Sequence, residues 1–360
     1  MKKIVTILGA RPQFVKGAVL SRILQKHNEI EEIIVHTGQH FDANMSAVFF
    51  EEMQIPKPKY NLNINGLNHG AMTGQMLEKI EEILLLEKPE AVVVYGDTNS
   101  TLAGALAAKK LGVKVVHIEA GLRSFNMQMP EEVNRVLTDR ISNLLSCPTE
   151  IAVSNLKNEG FDGFDIQIEK HGDIMKDAVE FYSKVSEEKS SIVHDLGLVK
   201  NEFVLATIHR QENTDDKEKL SNIFSALETI HTTKKVVLTL HPRTKKMLEK
   251  YQLKPNITFI DPVGYFSMLE LLKNCCMVVT DSGGLQKEAF FNKKFCVIAR
   301  EETEWKELVT NGYATIARTS TENLVLSFNQ FLTKNKSFTE NLYGTNVGEK
   351  IYQSIKNLIQ

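Results

Sequence analysis

Chemistry-bearing residues in this chain gather where short apolar runs end. Asp97 follows Ala91–Tyr95 in Gly96-Asp97-Thr98-Asn99-Ser100, and Glu119 follows Val113–Ile118 in Glu119-Ala120-Gly121-Leu122-Arg123. Asp97 also suits the cap of a helix beginning near Ser100. Glu119 has no such use, and a carboxylate ending a buried apolar run needs a partner. Pro130-Glu131-Glu132-Val133-Asn134-Arg135 opens a helix with acids at its positive end, and four-residue spacing pairs Glu131 with Arg135. Further along, Phe203–Thr207 delivers His209, Lys235–Leu240 delivers His241, and Met277–Thr280 delivers Asp281-Ser282-Gly283-Gly284. Two strand-end histidines beside a Ser-Gly-Gly helix start suit a diphosphate, whose oxygens would meet the N–H groups of Gly283 and Gly284. Glu288 lies on the same helix, within reach of a ribose diol. The turn Gly9-Ala10-Arg11-Pro12-Gln13-Phe14-Val15-Lys16 places two cations, Arg11 and Lys16, at another helix start. It lacks the Walker A spacing, and a plain strand-to-helix turn with solvated cations fits it equally well.

The elements that must position these residues alternate from end to end. Strand candidates are Lys3–Leu8, Glu31–His36, Ala91–Tyr95, Val113–Ile118 and Ile166–Lys170, then Phe203–Thr207, Lys235–Leu240, Ile257–Ile260, Met277–Thr280 and Phe295–Ala299. Helical periods lie between them, among them Phe14–Lys26, Gly70–Glu87, Ser100–Leu111 and Pro130–Leu144 in the first half. Apolar strands separated by helices predict α/β domains with parallel, doubly wound sheets. The pattern restarts after the charged, strandless stretch Ser183–Lys200, so the expected division is 1–186, 187–345 and a C-terminal helix, 346–360, packing back toward the first domain. Two Rossmann-like domains facing across a cleft would present their strand carboxyl ends to a ligand.

Composition narrows the classes. A net charge of −2 over 360 residues argues against a general nucleic-acid binder. No apolar run approaches the ~20 residues that span a bilayer, and the N-terminal run stops at Gly9, too early for a signal h-region. Cys147, Cys275, Cys276 and Cys296 lack metal or redox spacing and fit thiols in a reducing cytoplasm. His36 and His40 are four apart, but Gly38 and the preceding strand oppose a zinc helix. Neither a G-x-S-x-G elbow nor a G-x-G-x-x-G turn is present, which disfavours a serine hydrolase and a nicotinamide enzyme.

Taken in order, several motifs resemble the non-hydrolysing UDP-N-acetylglucosamine 2-epimerases. They are Gly-Ala-Arg-Pro-Gln-Phe-Val-Lys at 9–16, His-Thr-Gly-Gln-His at 36–40, Gly-Asp-Thr-Asn-Ser-Thr at 96–101, His-Ile-Glu-Ala-Gly-Leu-Arg at 117–123, Pro-Glu-Glu-Val-Asn-Arg at 130–135 and Thr-Asp-Ser-Gly-Gly-Leu-Gln-Lys-Glu at 280–288. The resemblance implies a GT-B-like fold, with UDP held mainly by the C-terminal domain, and the lack of ligand spacing leads us to expect no metal and no cofactor. It implies that UDP leaves C1 as a base takes the C2 proton, giving a glycal to which UDP re-adds with inversion at C2. It makes Asp97, Glu119 and Glu131 the acid/base carboxylates, with His209 near the diphosphate and Lys16 and Arg11 in a cationic loop. Ser282, Gly283, Gly284 and Glu288 become the UDP clamp, with Arg300 on the uracil side and Arg135 and His241 among the binding residues.

The expected reaction interconverts UDP-GlcNAc and UDP-ManNAc, in a cytoplasmic homodimer that binds neither nucleic acid nor membrane. A modified UDP-hexosamine such as UDP-2,3-diacetamido-glucuronate is the alternative substrate. It is favoured by Thr303-Glu304-Trp305-Lys306-Glu307 where familiar members carry Thr-Glu-Arg-Pro-Glu, and by the segments at 41–45 and 122–126. A hydrolysing epimerase, a GT-B glycosyltransferase and a non-catalytic sensor rank below these. If the Ser282 helix start clamps UDP, isothermal titration will show weaker UDP binding in Ser282→Ala and Glu288→Ala with the fold intact. Unchanged affinity in both would move the nucleotide elsewhere.

Overall fold

The computed structural model describes residues 1–39, 50, 53 and 55–360. The chain forms two Rossmann-like units, Met1–Ala178 with Asn341–Gln360, and Val179–Glu340. In the first, β1 (Lys2–Leu8), β2 (Ile30–His36), β3 (Tyr60–Asn61), β4 (Ala91–Tyr95), β5 (Lys114–Ile118), β6 (Leu144–Cys147) and β7 (Gln167–Lys170) make one sheet ordered β3-β2-β1-β4-β5-β6-β7. In the second, β8 (Phe203–Thr207), β9 (Lys235–Thr239), β10 (Thr258–Ile260), β11 (Met277–Thr280), β12 (Phe295–Ile298) and β13 (Ala314–Ile316) are ordered β10-β9-β8-β11-β12-β13. Every pairing is parallel. Both sheets are therefore doubly wound, as the alternation of apolar strands and helices predicts, and each reverses its winding once, between β1 and β4 and between β8 and β11.

Two-sided burial explains the apolar strands. Val5 and Ile7 of β1 and Val92 and Val94 of β4 pack with Met72, Met76 and Ile80 of helix His69–Glu87 and Ala103 and Ala107 of helix Asn99–Lys110. Val204 and Ala206 of β8 pack with Leu220, Phe224 and Leu227 of helix Lys217–His231 and Leu324 and Phe328 of helix Thr321–Leu332. No helix among the described residues is long and apolar enough to cross a membrane.

Two boundaries differ from the sequence reading. The helix expected to reach Leu144 ends at Ile141: Ser142 turns extended, its N–H bonds the Asp139 carbonyl, and Leu144–Cys147 becomes β6. Its two leucines belong to a buried parallel strand, which periodicity alone does not separate from a helix end. The charged stretch after Ser183 is largely helix, because Ile174–Lys189 continues through it on buried Ala178, Val179, Tyr182 and Ser186. The units part after Ala178, inside that helix. The last helix, Val347–Leu358, belongs with the first unit and packs on helix Arg11–His27, where the rings of His27 and Tyr352 stack at 4.2 Å.

Gly172 anchors that terminal segment. Its φ is +108°, a Cβ there would lie 2.2 Å from the Tyr343 carbonyl oxygen, and the same oxygen accepts the Asp173 N–H at 2.9 Å. Gly172→Ala is expected to cost about 2 kcal/mol or more, read as a lowered urea midpoint. An unchanged midpoint would show that this contact does not hold the segment.

Candidate active site

The chemistry-bearing turns follow the strands that flank each reversal. After β1, Gly9 passes so close to Thr37 and Ser100 that a Cβ would lie 2.2 Å from each hydroxyl oxygen. The Gln13 carboxamide then ties this turn to the end of β4. Its oxygen accepts from the N–H groups of Gly9 (2.8 Å) and Ala10 (3.1 Å), and its nitrogen donates to the Tyr95 carbonyl at 2.7 Å and the Thr98 hydroxyl at 2.9 Å. Arg11, the first residue of the helix, stays half-buried. Lys16 is neither a solvated cation nor part of an open cationic loop. It is buried, and its ammonium bonds the Glu119 carboxylate, which is the partner that a charge at the end of β5 required.

Asp97 does not cap the helix Asn99–Lys110. The Thr98 hydroxyl does, accepting the Thr101 N–H at 3.3 Å, and this leaves the half-exposed Asp97 carboxylate to Arg135 Nη2 at 2.6 Å. Arg135 Nη1 donates to Glu132 at 2.6 Å, so the pairing partner within the helix is three residues back, not the Glu131 expected from four-residue spacing. Glu132 also accepts the N–H groups of Ser124 (3.0 Å) and Phe125 (2.8 Å). Burial works to raise its pKa, and the donors from Ser124, Arg135 and Phe125 outweigh it, holding the carboxyl below its ordinary 4.5. Glu131, beside it, stays half-exposed.

Glu119 sits in the left-handed region at φ +72°, with its own N–H and that of Ala120 both 3.1 Å from the Ser146 carbonyl oxygen. Gly96, also left-handed, makes room for it: a Cβ at Gly96 would lie 3.2 Å from Glu119 Oε2. Asp97, Glu119, Lys16 and Arg135 thus meet at the carboxyl ends of β4 and β5.

In the second unit the Asp281 carboxylate, just past β11, takes the N–H groups of His209 (3.0 Å) and Arg210 (2.9 Å) and the Asn213 amide (3.1 Å). Helix Gly283–Phe291 begins beside this turn, and its N-cap Ser282 makes no side-chain cap bond. His209 is half-buried and His241 exposed, their rings 5.5 Å apart. Partial burial, then His209 and Arg243, lower the pKa of His241, whose Nδ1 accepts the Arg243 N–H and caps the next helix. Glu288 is half-buried on the Gly283 helix. Arg300 is buried and bidentate with Glu304 at 3.0 and 3.1 Å, so its charge is already matched within the protein.

Sequence reasoning did not select Arg210 and did not place Trp305 beside the Gly283 helix start. A Cβ on Gly283 would lie 3.7 Å from Arg210 Nη2 and 3.8 Å from Trp305 Nε1, so both donors border the helix start. Arg210 directly follows His209 at the end of β8, and the strand-end logic that selected His209 could have found it. Trp305 also lies under the Lys287 ammonium, 3.8 Å from its ring centroid, a long-range contact with no local signal. His36 hydrogen-bonds Asn61 at 3.2 Å, and His40 lies outside the described residues. Among the described residues no group of three or more His, Cys, Asp or Glu side chains could hold a metal.

Known proteins share this architecture. A family model described as UDP-N-acetylglucosamine 2-epimerase matches residues 22–356. A UDP-2,3-diacetamido-2,3-dideoxy-D-glucuronate 2-epimerase of Pseudomonas aeruginosa is 55% identical over 311 residues, 86% of each chain. A UDP-N-acetylglucosamine 2-epimerase of Methanocaldococcus jannaschii is 46% identical over 320 residues, 86% of this chain and 87% of that one. The crystal structure of the M. jannaschii UDP-GlcNAc 2-epimerase in complex with UDP-GlcNAc and UDP matches with a TM-score of 0.91 at 42% identity, covering 99% of both chains. The fold is therefore the GT-B-like pair of Rossmann domains that the sequence implies.

Glu132→Gln would leave the buried Arg135 with one carboxylate fewer, a loss of about 3 kcal/mol at neutral pH. Because the folded pKa is depressed, the stabilisation is present above the ordinary value of 4.5 and is lost as pH falls through the lower folded value. Denaturant midpoints of the two proteins should therefore converge below pH 4.5. A gap that persists into strong acid would remove the ion pair as its cause.

Proposed function

The chain belongs to the UDP-N-acetylglucosamine 2-epimerase family, which makes it an isomerase of UDP-sugars at C2, and on that premise we propose a UDP-linked 2,3-diacetamido-glucuronate as its substrate. The observation that carries the choice is the 55% identity to the P. aeruginosa enzyme across 86% of each chain, against 53% to a UDP-N-acetylglucosamine 2-epimerase homolog of Methanococcus maripaludis and 46% to the M. jannaschii enzyme. The Trp305-Lys306 departure from the familiar Arg-Pro points the same way. UDP-GlcNAc is the second reading, supported by the 0.91 TM-score to a structure holding that sugar nucleotide.

In the proposed reaction a carboxylate takes the C2 proton while the C1–O bond breaks and UDP leaves with the bonding pair. The glycal then recovers UDP at C1 and a proton on the opposite face of C2. Asp97, Glu119 and Glu131 are assigned the proton transfers, which contribute ~10²–10⁴-fold when the groups are placed. Arg135 orients Asp97, and Lys16 orients Glu119. On the nucleotide side, the N–H groups at Ser282–Gly284, with His209 and Arg210, meet the charge that develops on the departing diphosphate. Glu288 is assigned to the ribose diol. Four free thiols support the reducing cytoplasmic setting that belongs to the same proposal.

Turnover in heavy water should place deuterium at C2 of the product, with bridge-to-nonbridge oxygen scrambling in recovered substrate. Asp97→Asn should lower the rate by ~10²–10⁴-fold. Retention of the C2 hydrogen would overturn the proton-transfer chemistry. Across a UDP-sugar panel, kcat/KM for the diacetamido-glucuronate should exceed that for UDP-GlcNAc by about 100-fold or more. Equal or better turnover of UDP-GlcNAc would overturn the substrate choice and leave the second reading.

A further inference from the structure

We propose that His117 and Asp139 are positioning residues for the epimerisation, a buried pair that fixes both the peptide carrying Asp97 and the turn carrying Glu119. The inference rests on Asp97 and Glu119 being the acid/base groups.

His117 projects from β5 and is fully buried, as is Asp139. Its Nε2 lies 2.7 Å from the Gly96 carbonyl oxygen and its Nδ1 lies 2.7 Å from Asp139 Oδ1. A carbonyl can only accept, and so can an ionised carboxylate. The Asp139 carboxyl is held in that form: burial acts to raise its pKa, and His117 and Arg123 outweigh it. Nε2 therefore donates to the Gly96 carbonyl, while Nδ1 holds the Asp139 carboxyl, so one ring bridges the two. The Gly96 carbonyl belongs to the peptide that joins Gly96 to Asp97, and the Gly96 N–H is itself held by the Ile118 carbonyl at 2.9 Å. Two consecutive residues of β5 thus grip Gly96 from both sides.

The other Asp139 oxygen accepts the Gly121 N–H at 3.1 Å and Arg123 Nη1 at 2.7 Å. Gly121 closes the turn that begins at Glu119. Arg123 is locked in turn by Glu159, at 2.7 and 2.9 Å. One carboxylate therefore controls the backbone behind both candidate acids. Asp139 also lies four residues past Arg135 on the same helix, and Arg135 holds the Asp97 carboxylate directly. That helix fixes Asp97 twice, by the side chain through Arg135 and by the backbone through Asp139 and His117.

A network that served only stability would leave the chemical step of the folded enzyme intact. Misplacing a proton-transfer group by about 1 Å costs about 100-fold, so His117→Gln, which lacks the two opposed ring nitrogens that span Gly96 and Asp139, should lower kcat about 10- to 100-fold. KM and UDP affinity should stay within about twofold, because ground-state binding is untouched. The primary isotope effect on kcat with C2-deuterated substrate should rise as proton transfer becomes limiting. The near-isosteric Asp139→Asn should show the same split and carries the test if His117→Gln does not fold. Asp97→Asn is assayed alongside. If it keeps C2 exchange, the acid/base assignment itself fails. If it loses exchange while the His117 and Asp139 variants keep wild-type kcat, or lose it only in proportion to unfolded protein with an unchanged isotope effect, positioning is overturned and the assignment stands.

Discussion

A parallel sheet that reverses its winding must send the chain to opposite faces after two adjacent strands, and the backbone groups at those turns have no ladder partner. The structure meets this constraint with one polar side chain per sheet. Gln13 ties the turn after β1 to the end of β4. Asp281, after β11, ties itself to the turn after β8. Buried amides left unpaired would each cost about 1–3 kcal/mol. The same bonds fix the backbone from which the groups that follow in sequence project, at the carboxyl edge where such sheets take ligands.

Charge matching is the second layer of this arrangement. Lys16 stands against Glu119, Arg135 between Asp97 and Glu132, and Arg123 between Asp139 and Glu159. Each is a buried or half-buried pair whose members would be costly alone, so the carboxylates can remain charged despite their partial burial. Matching differs between the units. In the first, Lys16, Arg123 and Arg135 are each committed to carboxylates. In the second, Arg300 is consumed by Glu304, while Ser282 spends no side-chain bond on capping and the helix start borders Arg210 and the Trp305 indole N–H. The first unit spends its buried cations on carboxylates, whereas the second leaves backbone N–H groups and two side-chain donors at one helix start.

The fold was legible because its strands are buried on both faces and read as continuous apolar runs. What escaped was short or ambiguous: β3 and β13 are edge strands of two and three residues, and Leu144-Leu145 carries no sign of which element it joins. Most candidate site residues were legible from one rule, that polar groups directly after buried strands lie at the carboxyl edge of the sheet. That rule finds Asp97, Glu119, His209 and Ser282 by position. It cannot say which cation meets which acid, because Lys16 and Glu119 are 103 residues apart. Local spacing even misleads there: it favours Glu131 for Arg135, whereas burial and the loop N–H groups of Ser124 and Phe125 settle the pairing on Glu132. His117 and Asp139 stayed hidden for the same reason, as polar residues inside otherwise apolar or amphipathic elements.

Glu119 shows how these layers join. A bulky residue held at φ +72° costs about 1–3 kcal/mol, and nothing local requires it. The surroundings over-determine it instead. Two successive N–H groups, of Glu119 and Ala120, converge on the single Ser146 carbonyl, and Gly121 continues the turn at φ +78° against the Ala152 backbone, where a Cβ would lie 2.5 Å from the carbonyl oxygen. An ordinary extended exit from β5 would carry the side chain away from β4. The left-handed step instead turns it over Gly96, where a Cβ would crowd the carboxylate at 3.2 Å, and onto Lys16. Strain at one residue is thus what brings a carboxylate from β5 beside the one that follows β4, and the buried His117–Asp139 pair is the structure that keeps both ends of that step in place.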